Sequence, residues 1–305
     1  MLNKKILDFY KQTSPYTGLG LYADFARRLP DDLGELCTLQ RAQVIHPFHL
    51  VDESLRRVDN PFYGDLSQVP RTSLPFENDL FPTAQSMLAE LLRRDPHYGI
   101  NRKMEDKIHV CCREQAILLA SILKAKGIAA RARSGFERYS DPDGDNTFGD
   151  HWLTEYYNEE TERWVLVDVD LYFSREILVA RHIDTDLLDV PRGKFLFGAE
   201  AYLGLRDGTY EPEEIYWASE PPTTGLKAAL RVLFYDFHCL MNDELIFALV
   251  PKYLVDQDFQ LSDAEYAELD QLAEAMLDPD RNFDILQKIW NENEKFRIMS
   301  GGLND

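Results

Sequence analysis

The stretch CREQAILLASILKAKGIAARARSGF, residues 112–136, decides the fold. Apolar residues recur every three or four positions up to Lys126, which predicts an α-helix with one apolar face. Gly127 ends this helix, and the alternating pattern that follows it predicts a β-strand. The segment therefore predicts one long helix followed directly by a sheet.

Two further strands are predicted downstream of this segment. HWLTEYYN at 151–158 and RWVLVDVDL at 163–171 are rich in aromatic and β-branched residues. The acidic loop SDPDGDNTFGD at 140–150 precedes them, and its position makes residues 141–147 a candidate lid. We expect an α+β fold in which the helix packs on a small antiparallel sheet.

The regions on either side of this core are predicted to be mainly helical. Helical spacing occurs within residues 3–50, again from 83 to 95, and from about 216 onward, whereas a proline- and glycine-bearing loop covers about 51–75. Ser262 and Glu265 form a capping-box pattern before an apolar run. We therefore predict a helical N-terminal cap at 1–100, a core at 101–180 and a mainly helical C-terminal region at 181–305.

The composition excludes several classes of protein. The 305-residue chain is 45% hydrophobic, and its formal charge of −20 repels phosphate backbones and anionic membranes. Arg131, Arg133 and Arg138 form one modest basic stretch. We find neither a signal peptide nor a bilayer-spanning segment, and the four cysteines do not form a disulfide framework. We expect a cytoplasmic protein without a nucleic-acid or membrane partner and without a cofactor, and the sequence leaves its oligomeric state open.

Cys112, His151 and Asp168 are the residues predicted to carry chemistry. A cysteine attacks a carbonyl carbon as the thiolate, and a helix N-terminus favours that anion through its free N–H groups. Cys112 lies at such a position, where the same N–H groups can also stabilise an oxyanion. His151 is the predicted base, and Asp168 on the next strand is placed to fix the tautomer of its imidazole.

These ordered motifs resemble the transglutaminase-like superfamily, a branch of the papain-like cysteine enzymes. The family's Cys-Arg-Asp/Glu helix is similar to CREQA with KGIAARA in this chain. Its His-x-Trp-x-Glu motif is similar to DHWLTEY, and its Trp-x-x-Val-Asp motif is similar to RWVLVD. The resemblance covers about residues 105–172. It implies that Cys112 is the nucleophile, His151 the base and Asp168 the orienting carboxylate.

Three positions depart from the family pattern. Val110 replaces a glycine, Ala129 replaces a proline, and Trp152 follows the histidine directly instead of one residue later. None of these departures removes a residue of the triad. They indicate a divergent bacterial-type subgroup whose substrate cannot be taken from better-known members.

Each predicted site residue has a rival in the sequence. Cys111 competes with Cys112, although the residues that follow Cys112 match the family motif better, and a buried structural role is the alternative for either thiol. Asp170 competes with Asp168, because residues two apart on a strand point to the same face. The sequence alone leaves these alternatives open.

Other polar residues receive weaker assignments. Gln40 and Gln43 are candidate side-chain donors to the oxyanion, with surface exposure as the alternative interpretation. His109, Cys111 and Cys112 lack the spacing of a zinc site, and the acidic loop lacks the closing glutamate of a calcium loop. We therefore expect no metal.

Together these residues predict acyl transfer through a thioester. Cys112 attacks an amide or ester carbonyl, His151 protonates the leaving group, and water or an amine resolves the intermediate. We expect hydrolysis of a peptide, isopeptide or amide bond in a peptide, protein or small amide substrate. The alternatives are an amide-forming acyltransferase of the transglutaminase type, a catalytically silent scaffold on the same fold, and a thiol sensor that uses the adjacent cysteines.

Overall fold

The computed structural model describes residues 2–140, 147–218 and 222–300. Helices and strands are mixed along the chain, which confirms the α+β class. The helices are α1 (Lys4–Lys11), α2 (Ala23–Arg27), α3 (Leu33–Arg41), α4 (Phe48–Val51), α5 (Ala84–Arg94), α6 (Cys112–Ala125), α7 (Arg175–Ala180), α8 (Gly198–Asp207), α9 (Gly225–Leu240), α10 (Lys252–Asp256), α11 (Asp263–Met276) and α12 (Phe283–Glu292). The strands are β1 (Val44–Ile45), β2 (Ile108–His109), β3 (Ala130–Glu137), β4 (Phe148–Asn158), β5 (Arg163–Val167), β6 (Phe195–Phe197), β7 (Ile215–Trp217), β8 (Thr223–Thr224), β9 (Val250–Pro251) and β10 (Met299–Ser300).

The chain divides into two compact units, each assembled from separated parts of the sequence. The first lies within Met1–Asp8, Ala132–Trp152 and Arg192–Asp305, and the second comprises Phe9–Arg131 and Leu153–Pro191. The predicted division at residues 100 and 180 stays a prediction.

In the described part of the chain, the main sheet has six strands. Five follow the order β6, β3, β4, β7, β8, and β5 pairs with β4 off this path. The pairs β3–β6, β4–β5 and β7–β8 are antiparallel, whereas β4 and β7 run parallel, with Phe148 opposite Ile215. The sheet is therefore mixed instead of antiparallel throughout. The difference arises because β7 comes from the C-terminal region, which the sequence pattern predicted to be mainly helical.

Helix α6 is the predicted nucleophile helix, and every residue from Cys112 to Lys124 is buried. Helices α2, α3 and α5 pack against it. Thr154 on β4 donates its hydroxyl to the Ala116 carbonyl at 2.9 Å, so the sheet contacts this helix directly. The helix ends before Gly127, which has φ +83° and adopts this left-handed conformation without strain. The predicted helix and its end are confirmed, although burial extends beyond one face.

Two flanking helices begin as the sequence predicts. α11 has the expected capping box, in which the Ser262 side chain accepts from the Glu265 N–H and the Glu265 carboxylate accepts from the Ser262 N–H. α5 begins after Thr83, which also forms a capping box. Side-chain oxygens thus satisfy N–H groups that lack partners inside the helix.

Helix α9 contributes much of the core of the first unit, and residues 232–240 are all buried. α8 lies so close to it that a Cβ on Gly198 would meet the Val232 carbonyl oxygen at 2.6 Å. Only a glycine therefore fits at this crossing. Among residues 2–140, 147–218 and 222–300, no helix has the length and apolarity needed to cross a membrane.

Two arginines of β3 are buried, although the sequence pattern grouped them in a basic stretch. Arg131 donates from Nε to Glu155 at 2.7 Å. Arg133 donates to both carboxylate oxygens of Asp236, at 2.7 and 2.9 Å. Each buried cation therefore has a carboxylate partner, as the low-dielectric interior requires.

Replacing Asp236 with alanine should destabilise the protein strongly, because it leaves the Arg133 guanidinium buried without its carboxylate. We expect a loss of about 3–5 kcal/mol in the free energy of unfolding, measured by urea denaturation. Asp189→Ala is the matched control, since Asp189 pairs with Arg163 at the surface, where the two side chains are 40% and 49% exposed. The control should lose less than about 1 kcal/mol. Equal losses in the two variants would contradict this account.

Candidate active site

Cys112 is the first residue of α6, and Cys111 is the N-cap in extended conformation. The Cys112 side chain is buried but not sealed, with a residue exposure of 6%. The free N–H groups and the positive end of the helix dipole lie at this terminus. The structure therefore places Cys112 in the setting that favours a thiolate.

Strand β2 leads into Cys112 and is held along both edges. β1 pairs with it in parallel on one edge. On the other edge, the Glu77 N–H donates to the His109 carbonyl at 2.8 Å, and the Glu77 carboxylate accepts from the His109 N–H at 2.8 Å. The approach to the nucleophile is therefore fixed before the helix begins.

Cys111 has a structural partner that distinguishes it from its neighbour. Asn78 donates from Nδ2 to the Cys111 sulfur at 3.0 Å and accepts from the Cys111 N–H at 3.2 Å. Burial raises the pKa of the Cys111 thiol well above its ordinary value, and the nearby charges of Glu114 and Cys112 raise it further. Cys111 is thus held as a neutral thiol, which favours Cys112 as the nucleophile.

His151 lies on β4 and is 6% exposed. The sulfur of Cys112 and one carboxylate oxygen of Asp170, both in the second unit, lie within 4.8 Å of each other. The structure thus places Asp170, the rival of Asp168, beside the proposed nucleophile. The pairing of Cys112 with His151 stays a prediction.

Asp168 and Asp170 both lie beyond the end of β5, which stops at Val167. Asp168 is fully buried, and its carboxylate accepts from the Leu171 N–H at 3.0 Å. Asp170 accepts from the Gln115 side-chain amide at 2.5 Å. Because neither residue belongs to the strand, the alternation rule that would place them on one strand face does not apply.

Geometry separates the roles that these two carboxylates can have. An orienting carboxylate contacts the ring nitrogen remote from the sulfur, so it lies about 6–8 Å from that sulfur. Asp170 is within 4.8 Å of the Cys112 sulfur, which is closer than this arrangement needs. Asp170 is therefore a neighbour of the nucleophile, and Asp168 stays the predicted orienting residue.

The zinc grouping weighed from the sequence has two members with other partners. Cys111 bonds to Asn78, and the Nδ1 of His109 contacts the Leu74 carbonyl oxygen at 2.7 Å. These contacts use the groups that a zinc ion would need as ligands.

Gln40 and Gln43 are both fully buried, so the surface-exposed alternative is wrong for both. Gln40 donates its side-chain amide to the Gln115 carbonyl at 2.7 Å. Gln43 donates to the Leu39 and Gly99 carbonyls at 2.7 and 3.0 Å. Both side-chain amides donate hydrogen bonds to backbone carbonyl oxygens. This arrangement does not support the role as oxyanion donors that the sequence suggested.

Gln115, His46 and Asn78 are site neighbours that sequence reasoning missed. Gln115 follows Cys112 by three positions, a spacing that places two helical residues on one face and could have identified it. His46 Nε2 lies 3.8 Å from Asp170 Oδ2. Asn78 and His46 are distant in sequence from the motifs and have no local signal.

The acidic loop before His151 was predicted as a lid. Residues 141–146 lie outside the described part of the chain, so this assignment stays a prediction.

Residues 97–169 match the family model described as the transglutaminase-like superfamily. These residues form a transglutaminase-like core. The matched range includes Cys112, His151 and Asp168, the residues that the motifs single out. The family assignment made from those motifs is therefore confirmed.

Two other comparisons add little to the transglutaminase-like assignment. No curated protein is significantly similar to the chain. A solved structure from Cytophaga hutchinsonii, provisionally described as a cysteine protease, aligns with 13% identity and a TM-score of 0.34 over 66% of this chain. The aligned part spans half the length of that protein. A likeness of this size carries no argument about the activity.

Asp150 precedes the histidine of the transglutaminase-like core and is an unusual carboxylate. Its Oδ1 accepts from the Ala218 N–H at 2.6 Å. Burial raises the pKa of Asp150 to about 6, although this hydrogen bond and His151 act in the opposite direction. The folded state therefore binds a proton that the unfolded chain releases at lower pH.

Asp150→Asn should remove a pH-dependent loss of stability. A raised carboxyl pKa stabilises the fold below about pH 4, and this contribution disappears as the pH rises through about 6. At pH 7 we expect the variant to be more stable than the wild type by about 1–2 kcal/mol, with the difference vanishing near pH 4. Urea denaturation at a series of pH values measures this. A difference that stays constant with pH would show that Asp150 does not titrate in this way.

Proposed function

We propose that this protein is a cysteine-dependent acyl-transfer enzyme. Cys112 is the nucleophile, His151 the acid–base group and Asp168 the carboxylate that orients the imidazole. The proposal rests on the position of Cys112 at the N-terminus of α6, where the Asp170 carboxylate lies within 4.8 Å of its sulfur. The transglutaminase-like match over residues 97–169 supports it independently.

The proposed reaction proceeds through a thioester. The Cys112 thiol gives its proton to His151, and the thiolate attacks the carbonyl carbon of an amide. The carbon–nitrogen bond then breaks while His151 returns the proton to the leaving amine. Water adds to the thioester with His151 as base, which releases the carboxylic acid and the Cys112 thiol.

In this mechanism, backbone N–H groups at the start of α6 stabilise the oxyanion. The carbonyl oxygen becomes negative in each tetrahedral intermediate, and the free N–H groups of the first helical turn are the donors available there. Since Gln40 and Gln43 donate to backbone carbonyls, no side chain is assigned to this role.

We propose hydrolysis of a peptide, isopeptide or amide bond as the activity. An amine in place of water would form a new amide, as in a transglutaminase-type reaction, and the two outcomes share every step up to the thioester. Mass analysis of the product formed with and without added primary amine separates them.

Alkylation of Cys112 by iodoacetamide tests the thiol–imidazole pair without knowledge of the substrate. We expect half-maximal reactivity below about pH 7 in the wild type, because a paired imidazolium stabilises the thiolate. In His151→Ala the midpoint should move to about pH 8.5, the value of an isolated thiol. Fragment-ion mass spectrometry of the peptide containing both adjacent cysteines locates the label.

Cys111 supplies the internal control for this experiment. Its raised thiol pKa and its contact with Asn78 should leave it unlabelled under native conditions. An unreactive Cys112, or a midpoint that does not change in His151→Ala, would refute the enzyme assignment and favour a silent scaffold.

The two aspartates can be ranked by single substitutions. Asp168→Asn should lower the turnover of p-nitrophenyl acetate by about 10³–10⁴-fold, because the imidazole loses the group that fixes its tautomer. Asp170→Asn should have a much smaller effect, since Asp170 lies too close to the sulfur to be the carboxylate that orients the imidazole. Thermal unfolding confirms that each variant is folded. A larger loss in Asp170→Asn would transfer the orienting role to Asp170.

A further inference from the structure

Two partly exposed phenylalanines lie close together in the second unit. Phe48 and Phe76 are 46% and 44% exposed, and their ring centroids are 6.3 Å apart with an interplanar angle of 77°. Val51, Leu74 and Leu80 are exposed apolar neighbours in the same two chain segments. Clustered exposed apolar side chains are typical of a binding surface.

Both segments are attached to the strand that leads into the nucleophile. Phe48 follows β1 by three residues, and β1 pairs with β2. Phe76 directly precedes Glu77, which bonds to His109 on the other edge of β2. The two rings are therefore fixed relative to Cys112 by backbone hydrogen bonds on both sides of one short strand.

A series of contacts connects this aromatic pair with the reactive sulfur. The His46 ring lies 4.8 Å from the Phe48 ring, and its Nε2 is 3.8 Å from Asp170. Asp170 in turn lies within 4.8 Å of the Cys112 sulfur. An extended peptide advances about 3.3–3.6 Å per residue, so residues near the attacked carbonyl can reach the two rings.

We propose that Phe48 and Phe76 form a subsite for a large apolar side chain of a peptide acyl donor bound at Cys112. This inference rests on the proposed function and names its substrate class. The rings bury the apolar side chain, which is the main source of affinity at such a subsite. The Asp170 carboxylate at the inner end disfavours an acidic neighbour in the same peptide.

Binding can be measured separately from catalysis in Cys112→Ala. The probes are acetylated tetrapeptide amide mixtures in which each position in turn is fixed as Phe, Leu, Ala or Glu, titrated by calorimetry. At one position Phe or Leu should bind about tenfold more tightly than Ala, and Glu should be the weakest. Equal binding of Phe and Ala at all four positions would overturn the subsite.

Substitutions locate the preference on the two rings. Phe48→Ala and Phe76→Ala, each made in Cys112→Ala, should reduce the Phe-over-Ala preference to less than about threefold, while Phe48→Leu retains part of it. Ile285→Ala is the matched control, because Ile285 is an exposed apolar residue on α12. A preference that survives in the double variant Phe48→Ala/Phe76→Ala would overturn the assignment.

The same peptide mixtures can be made as coumarin amides, and their turnover by the wild type can be measured. This measurement distinguishes the inference from the proposed function. Turnover with the same Phe-over-Ala preference supports both. Turnover without a side-chain preference overturns the subsite and leaves the enzyme assignment intact. Binding preference without turnover of any amide supports the subsite and contradicts the proposed activity.

Discussion

The burial of α6 from Cys112 to Lys124 is the constraint on which the rest of the structure depends. A helix without a solvent-facing side must find an internal partner for each polar side chain that it carries. Arg113 pairs with Glu114 at 2.7 Å near its start, and Lys124 donates to the Gln12 carbonyl at 2.9 Å near its end. These contacts restrain the helix along its length, and the position of Cys112 is restrained with it.

The elements around this helix were predictable because their signals are local. The 3.6-residue spacing, the glycine at position 127 and the alternation after it are all contained in one short window of sequence. The capping box at Ser262 and Glu265 is equally local, and it forms as predicted. The order of the motifs also sufficed to name the transglutaminase-like family. These successes all concern features that depend on residues a few positions apart.

Most of the features that were missed depend on contacts between distant parts of the chain. No periodicity indicates that Asn78 would bond to Cys111, or that β7 would join the sheet parallel to β4. The extent of β5 was overestimated because its apolar alternation continues past Val167, whereas the Asp168 carboxylate accepts the Leu171 N–H and closes a turn. The buried arginines of β3 illustrate the same limit, since their carboxylate partners lie elsewhere in the sequence.

The hydrogen bonds along both edges of β2 limit the insertions and deletions that homologues can accept beside this strand. The segment that carries Phe76 also contributes the Glu77 hydrogen bonds to the strand before Cys112. An insertion or deletion in this segment would shift the register of those bonds and displace the reactive sulfur. Exchange of an exposed side chain leaves the register intact. Homologues should therefore vary here in residue identity while keeping the length of the segment constant.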